Sequence, residues 1–135
     1  TRVIWPDANG AVVVGRNMDF HQDLHTNLWK LPRGIERDDR VHGKLTWKAK
    51  YGSIVAGVYD LLSTDGMNEK GLAGHILWLA ESKYGDPDDS RPQLAMSVWL
   101  QYYLDNFATV ADAVEWTKTN NPQVIPMSDP TGGSL

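Results

Sequence analysis

Two short apolar, β-rich runs open the chain, residues 2–5 and 11–14, with Pro6-Asp7-Ala8-Asn9-Gly10 between them. The Asn-Gly pair supplies positive φ at little steric cost, so this stretch predicts a hairpin loop joining two antiparallel strands. Residues 28–31 and 45–49 predict further strands. The charged stretch 33–43 between them shows no apolar periodicity and predicts an exposed loop. Residues 51–62 and 71–79 are apolar enough for buried strands, and the turn-rich Asp65-Gly66-Met67-Asn68-Glu69-Lys70-Gly71 predicts the reversal between them.

After a loop over 84–92 the period changes. Leu94, Ala95, Val98, Trp99, Tyr102 and Tyr103 recur at helical spacing and form one continuous stripe, which predicts a helix. Thr109, with Asp112 three residues on, makes a start resembling a capping box for a second helix, and Asn120-Asn121-Pro122 stops it. Several strands followed by two helices predict an α+β layered architecture.

Composition narrows the partners more than the fold. The 135 residues are 41% hydrophobic, with six Trp and five Tyr but two Phe, as expected of one folded core. A net charge of -4 and the absence of any Lys/Arg cluster give no field for a phosphate backbone, so nucleic acid is not an expected partner. The longest apolar runs, 11–14 and 76–80, fall far short of the roughly 20 residues of a membrane helix, so no membrane partner is expected either. Having no cysteine, the chain as written offers no disulfide and no thiolate metal site. It opens on Thr1 rather than methionine and closes on Thr131-Gly132-Gly133-Ser134-Leu135, which predicts a processed or partial chain.

Candidate chemistry begins at Gly15-Arg16-Asn17-Met18-Asp19-Phe20, where an Arg and an Asp stand three apart after an apolar strand. Taken alone, a surface ion pair at a strand end is the commoner meaning of such a pair. Convergence of the two side chains also requires a bend, because positions i and i+3 of a strand face opposite ways; Gly15 could permit one. Asp19, His21, Asp23 and His25 alternate and could offer metal donors from one face, but the same alternation marks an edge strand facing water, the better account. His42 and His75 read as ordinary surface or core histidines, and Asp86, Asp88 and Asp89 as a solvated loop. The tryptophans at 5, 29, 47, 78, 99 and 116 read mostly as core, with Trp78 best placed to line an acyl or aromatic pocket.

Thr1-Arg2, residues 15–20, Leu31-Pro32-Arg33-Gly34, Tyr51-Gly52-Ser53 and Asp65-Gly66-Met67-Asn68-Glu69-Lys70-Gly71-Leu72 resemble, in this order, the choloylglycine hydrolase and penicillin V acylase family. The segment Ile76-Leu77-Trp78-Leu79-Ala80-Glu81-Ser82 resembles its Gram-negative penicillin V acylase branch. The resemblance covers nearly the whole chain and implies that residues 1–135 are the N-terminal part of a single N-terminal-nucleophile hydrolase domain, an αββα sandwich.

It further implies a Cys immediately before Thr1 as nucleophile, Arg16 lying against it, and Asp19 holding its α-amine. Trp78 is implied to line the substrate pocket, and Phe20, beside Asp19, joins it as a substrate-binding candidate. No cofactor and no metal are implied. The implied substrate is a small acyl amide of the phenoxyacetyl penicillin or acyl-homoserine lactone type, handled by a periplasmic homotetramer. The rivals are a bile-salt hydrolase of the same family, a Thr-type enzyme using Thr1, a non-catalytic acyl- or aromatic-ligand-binding domain, and last a metal-dependent hydrolase on the face from Asp19 to His25.

Overall fold

The structure, a computed structural model, describes residues 2–20, 23–77 and 79–126. Strands β1 (Arg2–Pro6) and β2 (Val12–Arg16) pair antiparallel from Arg2 opposite Arg16 to Pro6 opposite Val12. The Asp7 carboxylate closes the turn by accepting from the Asn9 and Ala11 N–H groups at 2.9 and 2.7 Å, and Gly10 takes φ +82°. The hairpin expected from Asn-Gly is therefore present, and its register is regular through Gly15, with no bulge.

The centre of the fold is a four-stranded antiparallel sheet in the order β3 (Asn27–Leu31), β6 (Ser53–Val58), β7 (Leu62–Asn68), β8 (Ala73–His75). Between β3 and β6 lies a separate pair, β4 (Glu36–Asp38) with β5 (Thr46–Lys48). This corrects the exposed loop expected over 33–43. The missed determinant is Asp39, only 1% exposed, whose carboxylate accepts from the Val41, His42, Gly43 and Leu45 N–H groups at 2.8 to 2.9 Å. A polar stretch can thus fold around one buried carboxylate without any apolar periodicity.

Asp65-Gly66-Met67 was expected to turn and instead continues β7, with the reversal falling at Asn68 to Gly71. Gly66 is there for closeness rather than turning: a Cβ on it would lie 2.7 Å from both Leu104 Cδ1 and Val55 Cγ1. Asn68 makes the turn, accepting from the Lys70 and Leu72 N–H groups while its amide donates to the carbonyls of Leu104 and Phe107. The buried strand expected over 71–79 shrinks to the three residues of β8, and Leu77 and Leu79 are exposed.

Helix α1 (Met96–Asn106) follows a short strand, β9 (Gln93–Ala95), so Leu94 and Ala95 belong to a strand and not to the helix stripe. The face α1 buries is also not the expected one. Leu100, Gln101, Leu104 and Asp105 point inward with Tyr102, whereas Val98, Trp99 and Tyr103 are half-buried. Leu100 and Leu104 form the core with Val55, and Leu31 and Ile76 pack against it.

Helix α2 (Val110–Asn120) starts as expected, with Thr109 Oγ1 accepting from the Asp112 N–H at 3.1 Å, and ends at Asn121 in the left-handed region. It docks on α1 through Tyr102, Tyr103, Phe107 and Trp116, the Tyr102 and Trp116 rings being 4.7 Å apart. Strand β10 (Gln123–Ile125) then pairs parallel with β9. The tryptophans divide: Trp47 and Trp116 are packed, but Trp5 and Trp29 are exposed, against the expectation of mostly core. Among the described residues no helix is long and apolar enough to cross a membrane.

Candidate active site around Arg16

Side chains of adjacent strand residues alternate between faces, so the register sorts the central sheet into two surfaces. Leu31, Ser53, Val55, Gly66 and Gly74 face α1. Leu28, Ile54, Met67, Asp65 and His75 take the opposite, open face. Arg16 reaches this second face from the end of β2, where its side chain is only 9% exposed.

Three groups meet the Arg16 guanidinium or its partner. Nη1 donates to Asp65 Oδ2 and Nη2 to the Ile76 carbonyl. The second Asp65 oxygen, Oδ1, lies 2.8 Å from His75 Nδ1. An ionised carboxylate only accepts, so the imidazole donates its Nδ1–H, and the carboxylate is shared between the guanidinium and the imidazole. Asp65 and His75 sit directly opposite each other on β7 and β8, which is what brings their side chains together. A register shift between Ala56 and Gly57 precedes Asp65 on the partner side, and the Ile76 N–H donates to the Thr64 carbonyl at 2.8 Å, fixing the segment that presents its own carbonyl to Arg16.

Arg16 Nε is buried and has no hydrogen-bond partner among the described residues. A buried guanidinium N–H left unpaired is costly, and Arg37 Nη2 on the α1 side is buried without a partner in the same way.

Asp19 is exposed, and Arg16 bonds to Asp65 and not to Asp19. Phe20 is 40% exposed beside it. Trp78 and His21 lie outside the described residues. Asp23 and His25 approach to 3.5 Å on the surface, and among the described residues no three His, Cys, Asp or Glu side chains gather as a metal site. His42 is exposed near Asp89, and Asp88 accepts from Ser90, in keeping with a solvated loop.

Asp65 and His75 were the functional candidates that sequence reasoning missed. Asp65 was hidden inside a stretch that looked like a turn, and His75 stood alone; the signal was available only as a cross-strand pair, ten residues apart. A groove of about 480 Å³, lined by Trp29, Arg37, Val55, Ser63 and Gln101 among others, lies on the α1 side and is separate from the Arg16 cluster.

The model of the linear amide C-N hydrolases, choloylglycine hydrolase family, matches residues 1–131, and the chain belongs to this family. It is 42% identical over 125 residues to the penicillin V acylase of Pectobacterium atrosepticum, covering 85% of this chain and 33% of that protein. The structure of penicillin V acylase from Agrobacterium tumefaciens superposes with a TM-score of 0.86 at 45% identity, over 92% of this chain and 39% of that one. A mutant of conjugated bile acid hydrolase from Clostridium perfringens gives a TM-score of 0.76 at 25% identity, over 99% and 42%. The α+β fold of the N-terminal-nucleophile hydrolase type expected from the resemblance is thus shared with solved relatives, and the chain spans about two-fifths or less of their length.

Proposed function

We propose that the complete protein carrying this chain hydrolyses a linear amide through an acyl-enzyme on a Cys immediately before Thr1. The observation that carries this reading is the register of the opening hairpin. Arg2 stands opposite Arg16, and directly opposed residues of an antiparallel pair project to the same face. The chain therefore enters β1 beside the buried guanidinium of Arg16, which supports a nucleophile just upstream of Arg2 as the group that the cation meets.

In this mechanism the α-amine takes the thiol proton, the thiolate attacks the amide carbonyl carbon, the C–N bond breaks, and the leaving amine takes that proton from the resulting α-ammonium group. Water then cleaves the thioester and releases the acid. An α-amine near 7.7–8.0 beside a thiol near about 8.5 supplies base and nucleophile at neutral pH, and a neighbouring cation favours the thiolate. Arg16 supplies that cation and Asp19 holds the amine.

Trp78 and Phe20 are the proposed acyl-side contacts, for a phenoxyacetyl penicillin or acyl-homoserine lactone ahead of a bile salt; the higher identity to penicillin V acylases than to the bile acid hydrolase supports that order. A periplasmic homotetramer belongs to the same reading and is checked by fractionation and light scattering. The deciding experiment is N-terminal sequencing and intact mass after iodoacetamide treatment, run beside release of phenoxyacetate from penicillin V. One alkylated residue preceding Thr1 with loss of turnover is expected; turnover that survives full alkylation would exclude the Cys mechanism.

A further inference from the structure

We propose that Asp65 and His75 form a two-residue brace that fixes the Arg16 guanidinium, which makes both of them positioning residues for the amide hydrolysis proposed above, on which this inference rests. Arginine is a planar fork on a long flexible stem, so its usefulness beside a reacting group depends on how few rotamers remain to it. Here the two terminal nitrogens are held from different places. Asp65 Oδ2 takes Nη1, the Ile76 carbonyl takes Nη2, and the plane so defined leaves Nε buried with no partner among the described residues.

A carboxylate with one free oxygen could swing away with the arginine. Asp65 has no such freedom, because His75 Nδ1 holds Oδ1 at 2.8 Å, and His75 is its direct cross-strand neighbour. The irregularity of the β6–β7 ladder just before Asp65, where Ala56 pairs Asp65 but Gly57 pairs Ser63, is the kind of kink that re-aims one side chain. An ordinary surface ion pair would need none of this. The Arg16 side chain is nine-tenths buried, its partner is 49 residues away, and the pair joins the opening hairpin to the sheet.

The test compares Arg16→Ala, Asp65→Asn, His75→Ala and His75→Asn in the complete enzyme, with kcat and KM on penicillin V and a melting temperature for each. Asp65→Asn and His75→Ala should each lower kcat about tenfold with KM little changed, as one released charge-assisted hydrogen bond implies. His75→Asn should restore most of that loss, because its amide N–H replaces the Nδ1–H at nearly the same distance from the main chain. Unaltered kcat in both Asp65→Asn and His75→Ala overturns the brace, as does a His75→Ala loss that follows the melting temperature and is not recovered by Asn. Arg16→Ala separates the two levels. If it keeps the parent's turnover, the active-site reading itself fails; if it loses turnover while Asp65→Asn and His75→Ala do not, only the brace fails.

Discussion

The two faces of the central sheet are made by alternate residues of the same strands, yet they are organised for different purposes. On the α1 side two strand positions give up their side chains. A Cβ on Gly74 would lie 2.4 Å from Leu100 Cδ1 and one on Gly66 2.7 Å from Leu104 Cδ1, so helix and sheet pack backbone to side chain. Most polar groups caught there are bonded to each other, although Arg37 Nη2 is buried with no partner among the described residues. Asp105, 1% exposed, accepts from Trp47 Nε1 at 2.7 Å, Arg37 Nε at 2.9 Å and Gln101 Nε2 at 2.7 Å, and its carbonyl accepts from the Lys50 and Tyr51 N–H groups. On the open side Leu28, Ile54 and Met67 remain exposed around the Arg16, Asp65 and His75 cluster, which keeps an unpaired donor. One face is covered by a helix; the other keeps its apolar side chains exposed around a charged cluster.

If that contrast is right, the largest stability loss belongs to the α1 face. Asp105→Ala strands Arg37, Trp47 and Gln101 in a dry site and should cost about 3–5 kcal/mol, read from the denaturant midpoint of the complete protein. The specific activity of the fraction still folded should stay near the parent's. A cost below about 1 kcal/mol would mean that water replaces the carboxylate and that the face is looser than its geometry. Gly66→Ala comes next, at about 1–3 kcal/mol, because Leu104 and Val55 must both move and the Ile54 carbonyl, 3.0 Å from the new Cβ, cannot. A neutral result there would show that α1 can retreat from the sheet.

The same contrast explains what could be read from the sequence. The opening hairpin, the α2 helix with its Thr109 cap and the α+β class were legible because each rests on a local signal: Asn-Gly, a capping residue, a change of period. The α1 face was misread because Gln101 and Asp105 are buried as hydrogen-bonding groups, which no apolar stripe can reveal. The 33–43 stretch failed for the same reason at Asp39. On the open face, Arg16 was found by resemblance, but its partners were not, since a cross-strand pair is invisible until the register is known. Asp65 even looked like a turn residue, because Asp-Gly is a turn signal only where nothing packs against the glycine.

Asp39 gives a prediction of intermediate size on the α1 side, since its own carbonyl accepts from the Ala95 N–H just ahead of α1. Burial works to raise its pKa, but the N–H groups of Leu45, Val41, Gly43 and His42 outweigh it and hold the carboxyl at about 2, below the ordinary 3.8. A depressed folded-state pKa contributes stability above the unfolded value that is lost as the pH falls through the folded one. The contribution should therefore be whole above about pH 4 and gone below about pH 2, about 2 kcal/mol in all. Denaturant titrations of the parent and of Asp39→Asn across that window check it. A gap between the two proteins that does not narrow on acidification would assign the stability to packing instead.

The smallest stability change should come from Asp19→Asn, and this is where the contrast between the faces is sharpest. Asp19 is exposed and takes no part in the bonds around Arg16, which turns to Asp65 instead. Replacing an exposed carboxylate by its near-isosteric amide should move the unfolding free energy by no more than about 0.5 kcal/mol. Turnover should nevertheless fall in the complete enzyme, because the proposed α-amine becomes positively charged when it takes the proton, and a neutral amide cannot offset that charge. The effect should appear in kcat rather than in KM, since the acyl group is bound elsewhere. Melting curves and steady-state kinetics on penicillin V measure the two quantities independently. An unchanged melting temperature with depressed kcat would place Asp19 with the open-face machinery despite its distance from the Arg16 bonds. Unchanged kcat would leave Asp19 a surface charge at the end of a strand, and would confine the charged chemistry of this chain to Arg16, Asp65 and His75.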